Sequence, residues 1–327
     1  MNILVTGGTG FLGSHLTRAL VADGHHVQIL GRNFAHVQEL LSAGTQPIKS
    51  DLRDRETIAA ACARVDAVYH VGALSTDWGK PSDFYAINVG GTEAIIEGCL
   101  RHNVQRLIHI SSPSVIFDGY DHENVTETKP YASRFLSDYA WTKKLAEDRV
   151  NAASERGLQT VIIRPKAIFG PGDRTLLPRL IKTARQGRLP QFGTGQNLVD
   201  LTYVDNVVQA LRLCLDIRAA IGRTYFVTND EHILLWKVIR ELLQQVGLSP
   251  NLPTIPTPVA QTIALFMEKW ATITHRTPLL TRYSIAVLTC TQTYDISAAR
   301  TDLGYTPHIS VEEGIKRTIE ALDAMTL

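Results

Sequence analysis

Cysteine is scarce in this chain. The four residues, Cys62, Cys99, Cys214 and Cys290, stand far apart in 327. None pairs at the close spacing of a metal knuckle or a dithiol motif, so neither a disulfide framework nor a metal site is expected. Buried free thiols in a reducing cytosol are the expectation instead. An excess of one charge sign is missing as well. Thirty-three Lys and Arg against 32 Asp and Glu give a net charge of +1, which excludes an electrostatic case for nucleic acid as partner. No run approaches the roughly 18 uninterrupted apolar residues of a membrane span, so no integral membrane segment is expected. Internal repeats and low-complexity tracts are absent. The first residues already read as a core strand, so no signal or transit peptide is expected and the location is read as cytoplasmic.

What the chain does have is a glycine turn at its start. Asn2–Thr6 is a short apolar run that reads as a buried strand. Gly7, Gly10 and Gly13 follow at three-residue spacing, and Phe11, Leu12, Leu16, Ala19, Leu20 and Val21 then repeat with helical period. A strand, a tight glycine turn and a helix form the setting in which a glycine triplet binds a dinucleotide. The helix N-terminus offers free N–H groups and a partial positive charge to a pyrophosphate. The glycines let the backbone approach the phosphates and let the helix sit close to the strand.

Strands are predicted at Asn2–Thr6, His25–Leu30, Thr45–Lys49, Ala67–His70, Arg106–Ile110 and Thr160–Arg164, with helices near 11–22, 34–43, 54–63, 84–102 and 138–156. This alternation implies a doubly wound α/β fold of Rossmann type, a parallel sheet covered by helices on both faces. Its ligands lie beyond the carboxyl ends of the strands, so the residues just after each strand carry the information. After the second strand, Gly31-Arg32 stands where NAD-binding folds usually place an acid. An arginine attracts a ribose 2′-phosphate, so NADP is expected to be preferred over NAD. After the third strand, Asp51 can cap the next helix, hydrogen-bond the adenine, or do both. After the fourth, small residues through Ala73 allow close packing on a flat cofactor, and His70 reads as a packed core histidine. Gly90 and Gly91 sit in a predicted helix interior, which propensity disfavours, so close packing is expected there.

The fifth strand ends in Ser111-Ser112-Pro113-Ser114. Tyr139 and Lys143 are four apart and share one helix face, whereas Trp141 points elsewhere, into packing. Moving a hydride at carbon requires a proton to move on the adjacent oxygen. A phenol's ordinary pKa of about 10 is high for that task, and a neighbouring ammonium lowers it. A serine hydroxyl can hold the reacting oxygen. Past Arg164-Pro165 the alternation stops. A turn at Phe169–Asp173, a helix from about Leu176 to Gln186, a helix ending near Asp216 and a strand at Thr224–Thr228 are predicted, then mostly helix from 231. Four prolines in 249–258 mark an extended connection before an apolar helical stretch, Val259–Thr274, which suits a lid, a dimer face or a membrane-surface helix. Residues 1–170 with 201–230 are assigned to the dinucleotide-binding domain, and 171–200 with 231–327 to a smaller, mostly helical substrate-binding domain.

Together, Thr6-Gly-Gly-Thr-Gly-Phe-Leu-Gly13, Asp51-Leu52, Asn88-Val-Gly-Gly-Thr92, Ser111-Ser112, Tyr139-x-x-x-Lys143 and Arg164-Pro-x-x-x-Phe-Gly-Pro-Gly-Asp173 resemble an extended short-chain dehydrogenase/reductase over essentially the whole chain. Within it, Ser111-Ser-Pro-Ser-Val115, Asp200-x-x-Tyr-Val-Asp-Asn206 and Pro278-Leu-Leu-Thr-Arg282 look most like the 3β-hydroxysteroid dehydrogenase branch, and there like bacterial reductases of 2-alkyl-3-oxoalkanoic acids. The resemblance implies Tyr139 as acid/base, Lys143 as its partner and Ser112 as the carbonyl-positioning serine, with Ser111 as fallback. It implies Gly7, Gly10, Phe11, Leu12 and Gly13 at the pyrophosphate, Arg32, Asp51 and Leu52 at the adenosine, and Ala73, Asn88, Tyr139, Lys143, Pro165 and Ile168 toward the nicotinamide. It also implies a homodimer through the helices near 88–102 and 138–156. The activity so implied interconverts a ketone and a secondary alcohol on a small apolar substrate, with NADP or NAD.

Two other readings compete. A sugar-nucleotide epimerase or dehydratase commonly has an asparagine three residues after the strand-end arginine, where this chain has Ala167. Dehydratases also carry an acidic pair after the catalytic hydroxyl residue, where this chain has Pro113-Ser114. A non-catalytic dinucleotide-binding regulator would not need Tyr139, Lys143 and a serine, all of which are kept.

Overall fold

Seven of the apolar runs pair into one sheet in the computed structural model, which describes residues 1–274 and 276–324. The strands are β1 (Asn2–Thr6), β2 (His26–Gly31), β3 (Gln46–Lys49), β4 (Ala67–His70), β5 (Arg106–Ile110), β6 (Gln159–Pro165) and β7 (Arg223–Val227). All pairs are parallel, in the order β7-β6-β5-β4-β1-β2-β3. The chain therefore winds outward from β1 in both directions, and the topological switch lies between β1 and β4. A ligand crevice opens there, beyond the carboxyl ends of those strands. The predicted strands are all present, several with ends shifted by one residue.

The faces of the sheet are filled from both sides. Ile3, Val5, Val27, Ile29, Tyr69, Ile108 and Ile163 pack against Leu16 and Leu20 of the first helix and Val207 and Leu211 of the helix Val204–Asp216. On the other face Leu4, Leu30, Val68, Leu107 and Ile162 meet Ile58, Ile95, Cys99 and Val150. Continuous burial on both faces is why these strands read as apolar runs rather than alternating ones.

The predicted helix 84–102 departs from expectation. It is a short helix Pro81–Phe84, a π-helical stretch Tyr85–Gly90, and the helix Gly91–Arg101. Gly91 packs tightly, since a Cβ there would lie 3.1 Å from the Leu52 carbonyl oxygen; Gly90 has no such neighbour. Beyond residue 170 the structure holds more strand than the sequence suggested. A second sheet joins Ile233–Leu234, Leu198–Val199, Gln292–Tyr294 and His122–Val125. Strands of two to four residues carry too few side chains to show a period. Phe192, Trp236, Ile239, Leu243, Ala260, Ala264 and Ile285 form a separate small core. The last helix, Val311–Ala324, packs through Val311 and Ile315 into the main core beside the sheet.

The helix Thr257–Thr274 turns its small residues Ala260, Ala264 and Ala271 inward and exposes Val259, Ile263, Phe266, Trp270 and Ile273. None of these large side chains lines the crevice; His275, which follows the stretch, lies outside the described residues. No described helix is long and apolar enough to cross a membrane.

Candidate active site

A cleft of about 1080 Å3 runs along the carboxyl ends of the strands. Its first wall is the glycine turn. Gly7 has φ +66°, and a Cβ on it would stand 2.7 Å from Gly72 Cα; a Cβ on Gly13 would stand 2.1 Å from the Gly7 carbonyl oxygen. No side chain could occupy either place without moving backbone. Gly10 precedes the helix Phe11–Ala22 and supplies no capping side chain, so the first N–H groups of that helix face the cleft unclaimed. This is a cradle of the shape and polarity that a pyrophosphate requires.

The adenosine end is built from the next two strand ends. Gly31 leaves room for Thr9, whose Oγ1 would lie 2.5 Å from a Cβ there, and so the place usually held by an acid is filled by packing. Arg32 lines the cleft with its side chain 75% exposed, and its guanidinium stands 3.8 Å from the Asp51 carboxylate. Asp51 does not cap the following helix. That cap is Asp54, which accepts from Thr57 N at 3.2 Å. Asp51 instead accepts from Arg53 Nε at 2.8 Å and from the Arg53 backbone at 3.0 Å, and Arg53 holds its carboxyl below the usual range. Leu52, Ala73, Pro165 and Ile168 all line the cleft.

Asn88 does not. It is 1% exposed; its Oδ1 accepts from Leu74 N at 2.8 Å, and its Nδ2 donates to Leu74 O at 3.1 Å and Thr142 Oγ1 at 3.0 Å. Its place is behind the wall, holding the loop that carries Ala73. His70 is likewise structural. Its ring nitrogens meet Thr6 Oγ1 at 2.7 Å and Thr92 Oγ1 at 3.0 Å, and burial, aided by Lys143, holds its pKa at about 3.

Ser112, Tyr139 and Lys143 converge on the same cleft. Ser137 caps the helix Asp138–Glu155 by accepting from Ala140 N at 3.2 Å, which sets where Tyr139 begins its first turn. Residues 139, 143 and 147 then follow one face. Glu147, fully buried, clamps that face to β6 by accepting from Arg164 Nε at 2.9 Å and from Tyr131 OH at 2.8 Å. Lys143 Nζ donates to Ile110 O at 2.5 Å and to His109 Nε2 at 3.2 Å. Burial lowers its pKa to about 8.

The electrostatics differ from the sequence expectation at one point. Desolvation pushes the Tyr139 phenol up to about 12, and the group that opposes this is the Ser112 hydroxyl, not the Lys143 ammonium. The reason is geometric: Lys143 is drawn toward the end of β5 by the Ile110 carbonyl. Ser112 Oγ also accepts from Ser114 N at 3.2 Å, which fixes it at the strand end, whereas Ser111 Oγ is buried without a partner. Trp141, expected in packing, is 39% exposed with its ring 6.2 Å from that of Tyr85.

Sequence reasoning missed two groups here. His15 ties the turn after Phe169 to the first helix, through Pro171 O at 2.8 Å and Asp205 Oδ1 at 3.0 Å. Burial, with a smaller contribution from the nearby Tyr139 phenol, pushes the Tyr283 phenol up. It is carried by the helix Arg282–Thr289, started by a reciprocal Thr281–Ser284 cap. Thr281 belongs to the Pro278–Arg282 stretch, so a signal stood beside it. Among the described residues no His, Cys, Asp and Glu cluster could hold a metal ion.

Residues 4–257 match the 3-beta hydroxysteroid dehydrogenase/isomerase family. The chain is 40% identical to 2-alkyl-3-oxoalkanoate reductase of Stenotrophomonas maltophilia, covering 97% of this chain and 98% of the relative. It is 34% identical to the human decarboxylating sterol-4-alpha-carboxylate 3-dehydrogenase, over 97% of this chain and 87% of that one. Among solved structures, UDP-glucuronic acid 4-epimerase from Bacillus cereus in complex with NAD superposes with a TM-score of 0.81 at 25% identity, covering 100% of both chains. The chain belongs to the 3-beta hydroxysteroid dehydrogenase/isomerase family of NAD(P)-dependent oxidoreductases.

Proposed function

We propose that the group this enzyme interconverts between ketone and secondary alcohol is the 3-oxo or 3-hydroxy group of an apolar fatty-acid or steroid-like skeleton. The observation that carries the reading is the convergence of Ser112, Tyr139 and Lys143 on the cleft that holds the glycine cradle. A bound nicotinamide carries the hydride in such chemistry. Tyr139 gives or takes the matching proton on the substrate oxygen. Ser112 donates a hydrogen bond to that oxygen and steadies Tyr139. Lys143, held at the end of β5 by Ile110 O, keeps a positive charge on the same cleft at neutral pH. The skeleton is inferred from the two relatives, a 2-alkyl-3-oxoalkanoate reductase and a sterol-4-alpha-carboxylate 3-dehydrogenase, and not from the apolar helix Thr257–Thr274, which faces outward.

Ala167 bears on the sugar-nucleotide alternative. It lines the cleft with φ +42° and offers a methyl where those enzymes commonly offer an amide. Of the five basic residues between 174 and 188, only Arg174 reaches the cleft wall, so no basic pair waits there for a diphosphate. The same proposal includes a preference for NADP, supported by Gly31-Arg32, and the division of labour between residues 1–170 with 201–230 and 171–200 with 231–327. It also includes a homodimer through the helices near 88–102 and 138–156, supported by the exposed Tyr85–Trp141 pair, and a cytosolic location suited to four free thiols.

The test is nicotinamide absorbance with purified enzyme, NADPH or NADH, and a panel of 3-oxo acids, 3-oxosteroids and UDP-sugars. Oxidation of cofactor by the 3-oxo compounds is expected. Cofactor binding without turnover of any of them would favour a regulator, and turnover of UDP-sugars alone would favour the epimerase.

A further inference from the structure

Lys166 is a cation that neither the cofactor cradle nor the Tyr139 pair uses. It follows β6 directly, between Pro165 and Ala167, both of which line the cleft. Its Nζ donates to the neutral Gln292 Oε1 at 2.6 Å and lies 5.9 Å from the Tyr294 ring centre. Among the described residues it makes no ion pair. The acid nearest in charge, Asp200, is occupied by His232 Nδ1 at 2.6 Å and Tyr294 N at 2.8 Å. A desolvated ammonium with only a neutral amide as partner is costly, and a ligand anion would relieve it.

Position relates this charge to the reacting oxygen. The register Ile110↔Ile163, continued by Ser111 N donating to Ile163 O at 2.7 Å, brings the strand end that leads to Ser112 beside the one that leads to Pro165 and Lys166, at the usual strand spacing of about 4.8 Å. Arg164 turns toward Glu147 on the Tyr139 helix, while Lys166, just past the strand end, reaches Gln292 and Tyr294 of the second sheet. The tyrosine under Lys166 carries a second unsatisfied polar group. The Tyr294 hydroxyl is fully buried without a hydrogen-bond partner.

We infer that Lys166, with the Tyr294 hydroxyl, is an anion subsite that binds the carboxylate of a 3-oxo or 3-hydroxy acid while Ser112 and Tyr139 hold its 3-oxygen. In such an acid the carboxylate carbon lies two bonds, roughly 2.5 Å, from the reacting carbon, so a cation one strand away is within reach. The subsite selects acids over esters and over neutral ketones of the same skeleton. It rests on the ketone-reductase reading above.

The test compares a 2-alkyl-3-hydroxyalkanoic acid with its methyl ester in wild type, Lys166→Met and Lys166→Arg, with nicotinamide absorbance as readout and cofactor affinity as a check on folding. Loss of a charge-assisted contact in Lys166→Met is expected to raise KM for the acid ~10- to 100-fold. KM for the ester and the cofactor affinity stay near wild type, kcat changes little, and Lys166→Arg restores the acid. An equal effect on acid and ester, or an unchanged KM for the acid, overturns the subsite and leaves the reductase reading standing. Wild-type turnover of neither compound overturns both. Should Lys166→Met lose cofactor binding, Tyr294→Phe supplies the same comparison, and an acid-to-ester KM ratio unchanged from wild type in it overturns the subsite.

Discussion

The two ends of the cleft are built from different material. At the cofactor end the backbone does the recognising: Gly7, Gly10 and Gly13 lie within seven residues, and what matters is the absence of side chains. At the reaction end side chains do it: Ser112 beyond β5, and Tyr139 and Lys143 on the helix Asp138–Glu155, with the proposed Lys166–Tyr294 subsite carried by two further elements. A backbone site is compact in sequence because one turn makes it. A side-chain site exists only once the sheet and its covering helices have formed. The first end has no room for a side chain at Gly7 or Gly13; the second depends on charges held out of water.

Substitutions at the two ends have different consequences. The largest effect is expected from Tyr139→Phe, which removes the proton carrier. Steady-state kinetics should show kcat lower by about 10²- to 10⁴-fold, with cofactor affinity within threefold of wild type. Retained turnover would contradict the assignment. Gly13→Ala attacks the other end, pressing a methyl onto the Gly7 carbonyl oxygen. Denaturant unfolding should register a loss of about 3 kcal/mol, and titration should show cofactor binding lost with it.

Asn88→Ala probes the shell between the ends. It strands Leu74 N and O and Thr142, at a cost of about 2 kcal/mol in unfolding experiments. Cofactor KM should rise more than kcat falls, since Asn88 supports the wall and not the reacting atoms. Lys143 gives a pH dependence. Its folded pKa of about 8 lies below its ordinary 10.5, so its ammonium is present below that value and lost above it. Ketone reduction should be level near pH 7 and about tenfold slower one unit above that pKa, a limb that Lys143→Arg should remove. In the same window, between about 8 and 10.5, the unfolded chain binds the extra proton, so this group's contribution to stability rises with pH. The smallest effect belongs to Arg32→Ala. This exposed side chain should change KM for NADPH by only about three- to fivefold while leaving NADH unaltered, and equal effects on both cofactors would remove its assigned role.

The same contrast explains what could be read in advance. The parallel sheet was legible because strands buried on both faces leave apolar runs, and Gly7–Gly13 was legible because steric need leaves glycines at fixed places. Tyr139 and Lys143 were legible as a pair one helical turn apart. The π-helical stretch Tyr85–Gly90 was hidden, since no residue type marks it. The short strands after residue 170 lacked a period, so neither the second sheet nor the approach of Gln292 and Tyr294 to Lys166 could be foreseen. The direction of the Tyr139 shift was misread because spacing on a helix says that two side chains share a face, not that an unrelated carbonyl, Ile110 O, claims one of them.

The central claim is that one cleft brings a nicotinamide and the oxygen held by Ser112 and Tyr139 together for hydride transfer. Cofactor carrying deuterium at the reactive C4 position, mixed with a 2-alkyl-3-oxoalkanoic acid, tests it most directly by mass spectrometry of the product. Wild-type enzyme should yield the 3-hydroxy acid with one deuterium at C3, and Tyr139→Phe should bind the cofactor and yield almost none. A product without deuterium, or equal labelling by the Tyr139→Phe enzyme, would contradict the account.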